Sequence, residues 1–225
     1  MLDDLWDRCP KPGNLTDGPL HTISTSPADR PDDESEAAAA VPTARHRRCR
    51  WSGARNQHRL WPEPAAYGDA VEEVIGIDIS PELLAMADRA AMVQSQRRRL
   101  QVRLLQGSAE HLPSSIADRS IDTVVVTWAL CSIPDAAAAL VEAHRVLRPN
   151  GSLRFVEHGR SPDTSVAWWQ DRLTPLWRRC SGGCHLNRKT DDLLQSAGFR
   201  LTHLATGYAP GPRPMTFMYE GQAEP

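Results

Sequence analysis

Residues 74–91 read VIGIDISPELLAMADRAA. A short branched-apolar run ends on an acid, Asp78, which is the pattern of a strand buried in a sheet. Ser80 can cap the helix that follows, Pro81 suits its first turn, and Leu83, Leu84 and Ala87 give it one apolar face. A buried strand feeding directly into a capped helix is the repeating unit of an α/β protein.

The pattern continues downstream. Residues 100–105, LQVRLL, alternate like a strand, and residues 121–130, IDTVVVTWAL, form another buried one. Asp135 can cap a helix running to about Leu147, with Leu140, His144 and Leu147 on one stripe. RPNG at 148–151 turns the chain, and SLRFVEH at 152–158 forms the next strand. Thr190, Asp191 and Asp192 open a helix that Gly198 closes. FRLTHLAT (199–206) and MTFMYEG (215–221) read as an antiparallel pair around the loop APGPRP. Strands alternating with helices imply a mainly parallel sheet with right-handed crossovers. Ligands of such sheets sit at the carboxyl ends of the strands.

Upstream the character is different. Residues 1–44 are rich in Pro, Asp, Ser, Thr and Ala. With few aromatic or branched aliphatic side chains they read as disordered, because burial cannot offset the entropy of ordering them. Residues 45–61, RHRRCRWSGARNQHRLW, carry six arginines and no acid. No strand or helix period fits this stretch, so 45–70 reads as an irregular arginine-rich segment and 71–223 as the folded domain.

The whole chain has 225 residues, 40% of them hydrophobic, and a formal charge of −2. That suits one globular domain and points to neither nucleic acid nor an anionic membrane as partner. No window approaches the roughly 18 apolar residues of a spanning helix, and the first residues carry no secretory pattern. Five scattered cysteines argue against a disulfide framework and for a reducing cytoplasm. Cys180, Cys184 and His185 fall short of a structural zinc set, so no metal is expected.

The residues that end each strand carry the chemistry. Asp78 can accept two hydrogen bonds from a ribose diol, or can simply cap a helix. Gly107, Ser108, Ala109 and Glu110 follow the next strand, where small residues let a flat base approach the backbone; an ordinary turn is the alternative. Thr127 to Ser132 close the VVV strand. Cys131 there reads as a small buried hydrophobe. Glu157 and His158 end the SLRFVEH strand. A histidine titrates near neutrality and can take a proton from an attacking group, or the pair merely orders its loop. Trp168, Trp169 and Trp177 form either an apolar lid or core.

Taken in order, VIGIDISPELLAMADRAA, GSAEHLP, the aspartate-and-valine strand, LCSIPD and EAHRVLRPNGSLRFVEH resemble a class I S-adenosylmethionine-dependent methyltransferase. VLRPNG resembles that superfamily's V-L-(K/R)-P-G-G turn, with Asn150 in place of the first glycine. In residues 157–199, the E-H pair, W-Q, L-x-P-x-W, G-C-x-x-x-R and A-G-F resemble the methyltransferase-like branch that includes thiol S-methyltransferases. That branch is similar in turn to ubiquinone and phospholipid methyltransferases.

The resemblance implies a Rossmann-like α/β fold, with a mainly parallel seven-stranded sheet whose last strand is antiparallel. It implies S-adenosyl-L-methionine as cofactor. Asp78 and the adjoining Ile79 would hold the ribose, Ser108, Ala109 and Glu110 would surround the adenine, and Thr127 would line the methionine side. Glu157 and His158 would face a small-molecule acceptor of thiol, lipid or quinone-like type. A catalytically inactive relative, acting at most as a binding module, is the alternative.

The departure from the family lies upstream. Its first strand should end in a glycine-rich loop some 20 residues before the ribose-binding acid. Around residues 50–58 stands RWSGARNQH, with one glycine and no acid. The glycine loop thus reads as missing and the first strand as lost. An arginine-rich, lysine-poor run with scattered Trp, Cys and Pro is what GC-rich DNA yields out of frame. Residues before about 66 therefore read either as frame-shifted, joining the true frame just upstream of Val71, or as a native divergent N-terminus with the cofactor held by the remaining half-site.

Overall fold

The computed structural model describes residues 48–53, 71–95 and 100–225. The disorder expected of 1–44 and the glycine-loop region at 54–70 lie outside the described residues.

Strand β1 (Arg48–Gly53) is followed by β2 (Glu73–Asp78), helix α1 (Pro81–Ser95), β3 (Gln101–Gln106) and β4 (Ile121–Thr127). Then come α2 (Ala136–Val146), β5 (Leu147–His158), α3 (Thr164–Cys180) and α4 (Thr190–Ser196). Strand β6 (Arg200–Tyr208), one helical turn α5 (Arg213–Thr216) and β7 (Phe217–Glu224) complete the chain. The seven strands form one sheet in the order β3-β2-β1-β4-β5-β7-β6. Strands β1 to β5 pair in parallel, and β7 runs antiparallel between β5 and β6.

The expected loss of the first strand, with an irregular segment across 45–70, is corrected in part. Arg48–Gly53 pairs with β2 on one side and β4 on the other, at the centre of the sheet. A parallel ladder is made by backbone N–H and C=O groups, which any non-proline residue supplies. A reading of side-chain pattern is blind to that, and arginine hides the strand.

Local signals account for the remaining elements. The Ser80 hydroxyl accepts the Leu83 N–H at 3.3 Å, capping α1. Asp135 caps α2 by accepting the Ala138 N–H at 2.9 Å. In β5 the turn residues Arg148–Gly151 bulge opposite Asp122, because pairing steps from Ile121–Leu147 to Thr123–Ser152. Arg148 and Asp122 form an ion pair across the bulge.

The main core packs Ile75 and Ile77 of β2, Val124 and Val126 of β4 and Leu153 and Phe155 of β5 against α2 and α4 through Leu140, Ala143 and Leu194. A smaller cluster beneath β2 and β3 joins Val74 to Leu100. No helix among the described residues is long and apolar enough to cross a membrane.

Candidate active site at the carboxyl ends of the strands

Asp78 ends β2 and is 3% exposed. One carboxylate oxygen accepts the Ser80 N–H at 2.8 Å, and its carbonyl accepts the Gly107 N–H at 3.0 Å. This second bond draws the loop after β3 up to the end of β2. Space opens there: a Cβ placed on Gly107 meets nothing among the described residues within 4 Å. In that loop the Ser108 hydroxyl donates to Glu110 at 2.8 Å and accepts the Glu110 N–H at 3.2 Å. The other Glu110 oxygen accepts the Asp135 N–H at 2.7 Å, tying the loop to the start of α2. Ile79 is 46% exposed. Asp78, Ile79, Ser108, Ala109 and Glu110 are thus gathered at the ends of β2 and β3. Thr127 ends β4, where it pairs with Gly53 of β1 and Val156 of β5.

Just beyond Thr127 the backbone is strained. Trp128 has φ 47°, a left-handed conformation that costs a bulky residue about 1–3 kcal/mol. Its N–H donates to the Val156 carbonyl at 2.8 Å, and its ring stacks on His158 with centroids 6.1 Å apart. The Trp128 indole nitrogen is buried without a hydrogen-bond partner among the described residues. The sequence reading singled out neither this conformation nor the stacking; a tryptophan directly after a strand-ending threonine was the available signal.

The kink turns three successive amides toward β5. Glu157 is fully buried and accepts the N–H groups of Ala129 (2.8 Å), Leu130 (3.1 Å) and Cys131 (3.1 Å). Burial pushes its carboxyl up to about 7, against these three donors and the neighbouring His158, which pull it down. Glu157 therefore shapes the loop after β4 and presents no face to an acceptor. His158, half-buried, stands at the same end.

Cys131 and Cys184 are both buried, and the Cys131 Sγ, the Cys184 Sγ and a His158 ring nitrogen lie within 4.8 Å of one another. The adjacent Cys184 thiol and burial push the Cys131 thiol well up, while the same contact holds Cys184 below the usual thiol value. Leu173, Trp177, Leu186 and Met215 wall the pair. The Ser181–Cys184 turn that presents Cys184 uses left-handed Gly182 (φ 60°) and Gly183 (φ 90°). The His185 N–H donates to the Cys131 carbonyl at 2.7 Å, locking this turn to the loop after β4. Arg188 completes the clasp by donating to the carbonyls of Leu130, Ile133 (2.6 Å) and Pro134 (3.0 Å).

Cys180, by contrast, is exposed and donates to carbonyls of its own helix, so Cys180, Cys184 and His185 do not form one set. The three tryptophans also part company. Trp168 and Trp169 are 48% and 52% exposed and stack edge-on, with Arg172 over Trp168, whereas Trp177 packs on the cysteine pair.

Comparison with known proteins places this arrangement. A family model described as a methyltransferase domain matches residues 58–155. In that stretch the chain is similar to class I S-adenosylmethionine-dependent methyltransferases. The family match opens at residue 58, inside the stretch read as frame-shifted. Thiol S-methyltransferase TMT1B of Rattus norvegicus is 44% identical over 85 residues, which are 37% of this chain and 35% of that protein. The demethylmenaquinone methyltransferase of Lactobacillus johnsonii is 34% identical over 97 residues, 42% of this chain and 38% of its own. The chain thus spans well under half the length of these two relatives. Among solved structures, an S-adenosylmethionine-dependent methyltransferase of Methanosarcina mazei aligns with a TM-score of 0.61 at 17% identity. That alignment covers 81% of this chain and 93% of the other. These three matched proteins bear the names of methyltransferases. The donor set suits the family's cofactor, S-adenosylmethionine: a buried carboxylate for a diol at β2, and open space beside small residues at β3.

Proposed function

We propose that this methyltransferase binds S-adenosylmethionine along the ends of β2, β3 and β4 and methylates a small-molecule acceptor, a thiol ahead of a quinone-like or lipid compound. The observation that carries this reading is Asp78, held at the end of a buried strand beside the open Gly107 corner. Its carboxylate binds the ribose diol. The loop of Ser108, Ala109 and Glu110 borders the base, and Thr127 lines the amino-acid end. Bound there, the cofactor supplies an activated methyl group.

The chain's own contribution is placement. Trp128, fixed by its backbone bond to Val156 and its stacking on His158, walls the space in front of β4. Glu157 holds the 129–131 loop so that this wall stays in position, which makes it a positioning residue. His158 is assigned to deprotonation of the acceptor. Holding acceptor and methyl group in line supplies most of the rate enhancement such a site needs. A preference for a thiol rests on the 44% identity to the rat thiol S-methyltransferase and on the sulfur-rich acceptor end.

Calorimetric titration with S-adenosylhomocysteine tests the cofactor half of this proposal. Micromolar binding is expected, weakened at least about tenfold by Asp78→Ala, since a charged hydrogen bond contributes about 1.5–3 kcal/mol. A folded chain that binds neither S-adenosylmethionine nor S-adenosylhomocysteine overturns it. Methyl transfer to a small alkyl thiol, compared with a demethylated quinol, then decides the acceptor.

A further inference from the structure

Cys131, His158 and Cys184 come from three separate places: the loop after β4, the end of β5, and the turn after α3. The fold brings two sulfurs and one imidazole nitrogen within 4.8 Å, at the carboxyl end of the sheet and next to the proposed acceptor position. We propose that these three residues bind a thiophilic divalent cation, Zn2+ in kind, and that its open coordination position receives the sulfur of a thiol acceptor.

Four features support this. The ligand set is right: two cysteines and one histidine are a known three-protein-ligand complement for zinc with a fourth position left open. The spacing is close to right. Tetrahedral zinc with sulfur at about 2.3 Å and nitrogen at about 2.0–2.1 Å separates its ligand atoms by roughly 3.5–3.8 Å. The trio must therefore draw in by at most about 1.3 Å. The surroundings are dry, with Leu173, Trp177, Leu186 and Met215 packed on the two sulfurs. Finally, the charges balance. Two thiolates neutralise the cation, and the guanidinium of Arg188 is bound to three carbonyls of the same loop.

The inference rests on the proposed thiol acceptor and says how its deprotonation is achieved. A thiol that coordinates the cation loses its proton to solvent. Its sulfur lone pair then forms the new carbon–sulfur bond to the methyl group. The bond from that methyl to the donor's sulfur breaks, its electron pair staying on the donor, so a thioether and S-adenosylhomocysteine result. In this scheme ligation of the cation by His158 replaces the base role assigned to it above, and no oxidant or reductant is required.

Cobalt makes the site visible. The reduced, chelator-treated full chain is titrated with Co2+, and one equivalent is expected to produce a thiolate-to-cobalt charge-transfer absorption that added Zn2+ bleaches. Cys131→Ser and Cys184→Ser should each lower the cobalt affinity at least tenfold, whereas Cys180→Ser should leave it unchanged. No charge-transfer band in the reduced chain overturns the site, as does a band that survives in both Cys131→Ser and Cys184→Ser. If the serine variants fail to fold, X-ray absorption of the zinc-loaded native chain decides instead: sulfur neighbours support the site, and a shell of nitrogen and oxygen alone overturns it. Titrating the metal-free sample with S-adenosylhomocysteine separates the two readings. Cofactor binding without a cobalt band removes the metal but keeps the methyltransferase, and a cobalt band without cofactor binding does the reverse.

Discussion

Glu157 is the residue on which the loop after β4 depends. Its two oxygens accept three backbone N–H groups in a fully buried setting. In Glu157→Gln the amide nitrogen replaces one acceptor oxygen and faces a donor. We expect a loss of about 1–3 kcal/mol in chemical denaturation, the cost of leaving a buried donor unsatisfied. Equal stability of Glu157→Gln and the parent would show that the carboxylate does not hold this loop. At this scale the sequence was partly legible. Asp78 could be found because it ends a buried apolar run, and Glu157 and His158 because they end another. Which of the pair is buried, and that Cys131 meets Cys184, could not be read. Those contacts join positions 53 residues apart (184 − 131), and no local period encodes them.

Among the elements, the chain leaving β5 packs closely on β7 at Gly159. A Cβ there would lie 2.5 Å from the Tyr219 ring and 2.7 Å from the Arg188 carbonyl. Tyr219 has little room to move, since it stacks edge-on with Phe217 and donates to the Arg160 carbonyl at 2.6 Å. Gly159→Ala should therefore destabilise the fold by about 1–3 kcal/mol, as overpacking does, and a thermal melt measures it. A neighbouring contact gives a pH effect. Arg160 grips Asp171 through two bonds of 2.6 and 3.0 Å, and Asn187 adds a third at 2.9 Å. These hold the Asp171 carboxyl below its ordinary value. A carboxyl depressed in the folded state stabilises it above the unfolded pKa, about 3.9, and that contribution disappears as pH falls through the folded value. The pair is partly exposed, so Asp171→Asn should cost only about 0–1 kcal/mol at neutral pH and nothing in strong acid. Unfolding curves at both pH values check the sign. Helices α1 and α2 were legible at this scale because Ser80 and Asp135 announce them. Helix α3 was not delineated beforehand, because Pro175 interrupts its pattern and two of its tryptophans face solvent.

In the whole molecule, alternation of strands and helices foretold the parallel sheet, and a turn-flanked final pair foretold the antiparallel edge. The central strand escaped notice because its ladder is made of backbone and its side chains are arginine, cysteine and tryptophan. The proposed frame shift bears on this strand directly. Resequencing the gene should reveal a one- or two-base change upstream of the codon for Ala70 that restores an apolar strand and a glycine-rich loop. An unbroken frame encoding the arginine run would make this segment native, and the cofactor would then be held without that loop.

The order β3-β2-β1-β4-β5-β7-β6 has a mechanical meaning. Every interstrand hydrogen bond between the β2–β3 flap and the four-stranded remainder passes through the six residues of β1. The sheet is two panels sharing one hinge pin. The larger panel carries most of the core, while the flap is anchored through Ile75 and Ile77 and closed beneath by the small Val74–Leu100 pair. Such a build opens locally before it melts. Amides of β2 and β3 should exchange with deuterium ahead of those in β4 and β5, and S-adenosylhomocysteine, bridging flap and remainder, should slow the first group more than the second. Uniform protection across all four strands would mean that the pin never works loose.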